Sequence, residues 1–197
     1  MPTSRLEAFS DGVLAIIITI MVLELHRPDG DDWQALSASA LSFVTYVLSF
    51  VYIGIYWSNH HHLFQLCERV DGVVLWANLH LLFWLSLYPF TTAWLDESHV
   101  ALAPTVLYGL NLFAAGAAYY LLALSLMRMP EVGDRLRAVM RGGLKEQLSM
   151  VFYALGIGIA FIQPWLALIP YVIVALMWLV PDRRIERYLA EQRPTTS

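Results

Sequence analysis

Apolar and polar positions in this chain fall into long blocks, not into the short alternation of a soluble domain. From Gly12 to Leu25 only Thr19 and Glu24 interrupt the apolar side chains. About 20 helical residues at about 1.5 Å each match a hydrocarbon core of about 30 Å, so residues 5–25, RLEAFSDGVLAIIITIMVLEL, are predicted as a first membrane-spanning helix. Further blocks predict helices at about 34–59, 73–95, 104–127, 146–162 and 165–180, and a polar tail over 181–197. Between them lie an acidic loop broken by Pro28 and Gly30, a polar connection NHHHLFQLCERVDG, an acidic turn at 96–99, and a very tight turn at Gln163 and Pro164. Pro89 is expected to kink the third helix and Pro170 to bend the sixth. The expectation is an all-α membrane protein, with one six-helix transmembrane domain over residues 1–197.

Composition agrees: 58% of the residues are hydrophobic and 14% charged, whereas an ordinary soluble domain is about a quarter charged. The single Cys67 allows no intrachain disulfide and no cysteine zinc site. The first apolar run is longer than a signal core and no small-residue cleavage site follows it, so that helix is expected in the mature protein. Six spans put eleven of the twelve Lys and Arg residues on one side, with only Arg27 opposite among Glu24, Asp29, Asp31, Asp32, Asp96 and Glu97. The positive-inside tendency then predicts a multi-pass protein of the cell membrane with both termini cytoplasmic.

Each helical residue turns by about 100°, which gathers Gly12, Ile16, Thr19, Ile20 and Leu23 into one stripe with Ser10 and Asp11 away from it. Such a stripe is either an ordinary contact with lipid or helices, or the wall of a pore. In the second helix Ser42, Thr45, Ser49, Tyr52, Tyr56 and Asn59 recur at steps of three and four, so they share a face that should meet protein. The polar end of the first helix is its expected partner. Gly109, Ala114, Ala115, Gly116, Ala117 and Ala118 give the fourth helix a surface for close packing.

His60, His61 and His62 do not read as a metal site, because consecutive helical positions diverge too far to converge on one ion. No hydrolase, P-loop or C-x-x-C pattern is present, so neither an enzyme nor a bound cofactor is expected. An acid in a membrane helix costs about 2.5–3.5 kcal/mol at the centre and less near an end, and usually has a partner. Arg5, Ser10 and Asp11 share a depth with Asn59, His60 and Asn78, which predicts a hydrogen-bonded cluster joining three helices.

R-x-x-x-F-S-D-G at Arg5 to Gly12, Y-W-x-N-H-H-x-L-F at Tyr56 to Phe64, and L-W-x-N-L with Y-P-F through Asn78 to Phe90 resemble the prokaryotic branch of the transmembrane-protein-175 family. Its members are potassium-permeable channels related to the lysosomal potassium channel. The resemblance implies a homotetramer whose first helices line a central pore, with no selectivity-filter loop. It carries the apolar constriction onto Ile16, Ile20 and Leu23, the threonine layer onto Thr19, and the structural polar network onto Arg5, Ser10, Asp11, His60 and Asn78. Glu24, Asp29, Asp31 and Asp32 would draw cations to the outer mouth. The expected partners are further copies of the chain, the lipid bilayer and permeant potassium, and no nucleic acid. The alternative is a secondary or proton-coupled cation transporter using Asp11 and the histidines; an intramembrane enzyme or metal binder ranks last.

Overall fold

A short antiparallel pairing fixes the start of the first helix: Thr3 N–H donates to the Glu68 carbonyl at 3.1 Å, and Val70 N–H to that of Met1 at 2.9 Å. Helix α1 (Thr3–Leu23) rises from this anchor. It is followed by α2 (Trp33–Ala38), α3 (Ala40–Phe64), α4 (Gly72–Ser86), α5 (Tyr88–Glu97), α6 (Leu102–Met127), α7 (Leu144–Ala160) and α8 (Pro164–Leu179). The computed structural model describes residues 1–65, 67–130, 132–133, 136 and 144–179. The expected tail over 181–197, and most of the basic segment before α7, lie outside the described residues.

Two of the expected helices take a different form. The block at 34–59 is the short α2, capped by the Asp32 carboxylate on Ala35 N–H at 2.7 Å, and then α3, which begins at Ala40 and runs through all three histidines to Phe64. Polarity marks where a helix leaves the apolar layer and not where it ends, and His61 and His62 in the last turn suit the negative end of the helix dipole. The block at 73–95 is α4 and α5, interrupted at Leu87. Pro89 has no N–H to offer the Leu85 carbonyl, so the ladder fails at this point.

Four helical stretches among the described residues are long and apolar enough to cross a membrane: Thr3–Leu23, Ala40–Phe64, Gly72–Glu97 and Leu102–Met127. Apart from the six-residue α2, the remaining helices α7 and α8 have 17 and 16 residues. Each extends about 25 Å, less than a hydrocarbon core of about 30 Å.

The centre of the protein is α6, which packs against α4, α5 and α7 and touches α8. Its Tyr108, Leu112, Ala115, Ala118, Leu122 and Leu126 are buried. Gly109 is where a close approach demands glycine, since the Tyr171 ring and the Ile157 side chain occupy the space of a Cβ. The polar stripe of α3 also turns inward, with Thr45, Ser49, Tyr52 and Tyr56 buried. Its partners differ from the expected ones. Ser49 shares hydrogen bonds with Thr92 at 2.7 Å and Tyr108 at 3.0 Å, and Tyr52 donates to the Tyr171 carbonyl at 2.6 Å. The stripe therefore meets α5, α6 and α8. The polar end of α1 finds other partners, because hydroxyl groups need only some acceptor within reach and the spacing on α3 does not say which helix supplies it.

Candidate functional site

The two faces of α1 have opposite surroundings. Leu6, Ser10, Leu14, Ile17 and Met21 are buried against the rest of the protomer. Gly12, Ile16, Thr19, Ile20 and Leu23 are exposed on the other face, Ile16 at 60% and Leu23 at 76%. The Thr19 hydroxyl donates its proton to the Ala15 carbonyl at 2.8 Å. What it turns outward is therefore oxygen lone pairs, acceptors only.

Behind this stripe a chain of hydrogen bonds crosses three helices. Ser10 Oγ donates to the Leu6 carbonyl at 2.9 Å and accepts from Asn78 Nδ2 at 3.0 Å, and Asn78 Oδ1 lies 2.8 Å from His60 Nε2. An amide oxygen can only accept, so with this amide orientation Nε2 of His60 carries the proton. All three side chains are 3% exposed or less. Inside a bundle their polar atoms must find partners or cost about 1–3 kcal/mol each, which ties the rotation of α1 to α3 and α4.

The other expected members of this cluster sit elsewhere. Asp11 is exposed and accepts from the Trp57 indole N–H at 3.0 Å. Trp57 stacks on His61 with 14° between the rings, and His61 Nδ1 lies 3.5 Å from Glu7 Oε1. Among the described residues Arg5 makes no ion pair with Asp11. Positions six apart on a helix point about 120° away from each other. Trp57 and Glu7 escaped the sequence reading. The available signals were an indole that can only donate and so needs an acceptor, and the i, i+4 spacing of Glu7 and Asp11, which puts two carboxylates on one flank. Two of the three histidines part company: His60 turns inward to Asn78 and His61 to Glu7, with no hydrogen bond from either to the Asp11 carboxylate among the described residues.

At the far end of α1, Glu24, Asp29, Asp31 and Asp32 are all exposed, and Asp32 also caps α2. Glu24 borders an open hollow of about 480 Å³ shared with Ile20, Phe90, Trp94 and Glu97, and a smaller one shared with Thr45, Thr92 and Asp96. The α5 acids are thus brought to the same end of the stripe.

A membrane-crossing helical bundle that leaves one apolar, hydroxyl-bearing helix face outside its own core has the build of a transport or channel protein. Comparison with known proteins makes the assignment specific. The family described as the endosomal/lysosomal potassium channel TMEM175 matches residues 5–89. A potassium channel of Chryseobacterium sp. (strain P1-3) is 50% identical over 97% of this chain and 100% of its own length. One from Streptomyces collinus is 35% identical over 89% of this chain and 91% of its own. The crystal structure of a lysosomal potassium-selective channel TMEM175 homologue from Chamaesiphon minutus superposes with a TM-score of 0.76 at 28% identity, covering 91% of this chain and 97% of that one. The chain belongs to the TMEM175 family, a family of channels and not of enzymes.

Proposed function

We propose that this chain is one protomer of a homotetrameric, potassium-permeable cation channel in the cell membrane, with the exposed stripe of α1 lining the ion path. The observation that carries the reading is the division of α1 into a face packed on its own protomer and an apolar face left exposed among the described residues. Family membership gives that face a purpose. Four copies around an axis bring four sets of Ile16, Ile20 and Leu23 together, and rings of branched hydrocarbon narrow the path until water is expelled. Thr19 supplies a layer of outward lone pairs that replaces part of an ion's hydration shell.

The remaining residues take supporting roles in this reading. Ser10, Asn78 and His60 hold the rotation of α1, Asp11 braces it through Trp57, and Arg5 marks its cytoplasmic end. Glu24, Asp29, Asp31 and Asp32, repeated fourfold, raise the cation concentration at the outer mouth, where the negative end of the α1 dipole also points. Six spans with both termini cytoplasmic account for the placement of the basic residues, α7 and α8 being the two short ones. The carrier alternative is not favoured, since the matching family and the similar bacterial proteins are described as potassium channels.

Potassium efflux from liposomes containing the purified protein, compared with sodium efflux, tests the reading. Potassium flux above that of empty liposomes and faster than sodium flux is expected. Flux of neither ion overturns it.

A further inference from the structure

We propose that successive copies of the chain lock together at the outer end of α1. A hollow on one flank of this helix seats the partner subunit's Val22, from the opposite flank of its α1, and Glu97 pairs with Arg27 of the partner subunit. The inference rests on the homotetramer proposed above and names the surfaces that close it.

Helical angles set the geometry. Leu23 belongs to the exposed stripe of α1, and Val22 and Glu24 stand about 100° to either side of it. Ile20 lies on the Glu24 side, about 60° from Leu23. That side borders the open hollow of about 480 Å³, whose far wall is Pro89, Phe90 and Trp94 of α5, with Glu97 in the last turn. The Phe90 and Trp94 rings stack with centroids 6.0 Å apart and 30° between their planes, and both are exposed. On the opposite side, Asp11 is held by Trp57 of α3, and nearer the outer end Ala15 and Val22 are exposed.

Symmetry, depth and charge together select a second copy as the occupant. When the stripes of several copies face one axis, each contact around the ring is heterologous, so the hollow flank of one α1 meets the Val22 flank of the next. Rotation about an axis along the membrane normal leaves every residue at its own depth. The partner subunit's Val22 therefore arrives between the levels of Ile20 and Glu24, which both border the hollow. A branched apolar side chain suits a seat of Ile20, Phe90 and Trp94. Charge completes the fit. Arg27 is the only Lys or Arg between Arg5 and Arg69, and it is exposed just beyond Glu24. Neither Arg27 nor Glu97 has an ion-pair partner among the described residues. The same rotation brings Arg27 of the partner subunit to the acidic end of the hollow. A lipid acyl chain matches the aromatic wall but leaves the Glu24 and Glu97 carboxylates unanswered.

The test is the assembly state of the full-length protein in mild detergent, read by native mass spectrometry over a range of protein concentrations. The unaltered protein should be tetrameric. Arg27→Glu and Glu97→Arg should each raise the concentration for half-assembly about tenfold, and the two together should return it to within about twofold of the unaltered value. Val22→Asp should leave a folded protomer by circular dichroism and abolish the tetramer, since it puts a charge against the aromatic wall. Should that variant fail to fold, the charge swap carries the test. Single reversals that leave assembly unchanged, or a double reversal that does not restore it, overturn the proposal. So does a normal tetramer with Val22→Asp, the result expected if lipid fills the hollow. Each of these leaves the channel reading standing, whereas an unaltered protein that forms no tetramer overturns both.

Discussion

Helices α1 and α6 are both long, apolar and supplied with small residues, yet they meet their surroundings in opposite ways. The most apolar window of α6 is 44% buried in the protomer and that of α1 only 28%. Glycine shows the contrast at single-atom scale. At Gly109 in α6 an added Cβ runs into Tyr171 and Ile157, whereas at Gly12 in α1 it meets nothing within 4 Å. Small residues in α6 are thus already occupied by neighbours, and the same kind of residue in α1 faces space that the described residues do not fill. Apolarity alone does not separate a helix that holds a protomer together from one that presents a surface to something else.

Filling both glycines puts this contrast under the greatest strain. Gly109→Leu forces the Tyr171 ring out of its seat and should cost about 3 kcal/mol or unfold the protein, while Gly12→Leu should leave protomer stability within about 0.5 kcal/mol. Thermal unfolding of the two variants in detergent measures both, and equal losses would refute the contrast.

Asn78→Leu comes next, because it leaves the buried His60 Nε2–H without its acceptor and removes the donor to Ser10, which keeps only the Leu6 carbonyl, and it should cost about 2 kcal/mol in the same assay. Trp57→Phe removes only an exposed bond to Asp11 and should cost about 0.5 kcal/mol. A larger loss for Trp57 than for Asn78 would show that the outer brace, and not the buried chain, fixes α1. Thr19→Val should change stability least, within about 0.5 kcal/mol, because the exposed hydroxyl is replaced by a methyl group of similar size. Potassium-over-sodium discrimination in liposomes should nevertheless fall several-fold, since the outward lone pairs are gone.

Some of this is legible in the sequence for identifiable reasons. Helix α1 stands out because an apolar run long enough to cross a hydrocarbon core seldom builds anything but a spanning helix. The Ser10, Asn78 and His60 cluster stands out because polar groups at one depth in a bundle must satisfy one another. Other features carry no such signal. The partner of Asp11 is Trp57, chosen by the angle between α1 and α3, which no spacing within either helix encodes. Polarity at His60 to His62 suggests a connection, yet α3 continues to Phe64, because helical hydrogen bonding persists beyond the apolar layer. The inward stripe of α3 is recognisable from its spacing, but not that α5, α6 and α8 are its partners. The outward stripe of α1 is visible as a stripe, and periodicity does not say whether its own protomer covers it.

Ile16 and Val151 decide whether α1 lines the ion path, being alike in exposure at 60% and 61% but standing on α1 and α7. Potassium efflux should be measured from liposomes carrying Ile16→Asn, Val151→Asn or the unaltered protein. A hydrated side chain in an ion path should raise efflux or lower its preference over sodium for Ile16→Asn alone, with Val151→Asn matching the unaltered channel. If neither substitution changes efflux or selectivity, or both change them equally, the exposed face of α1 does not line the path.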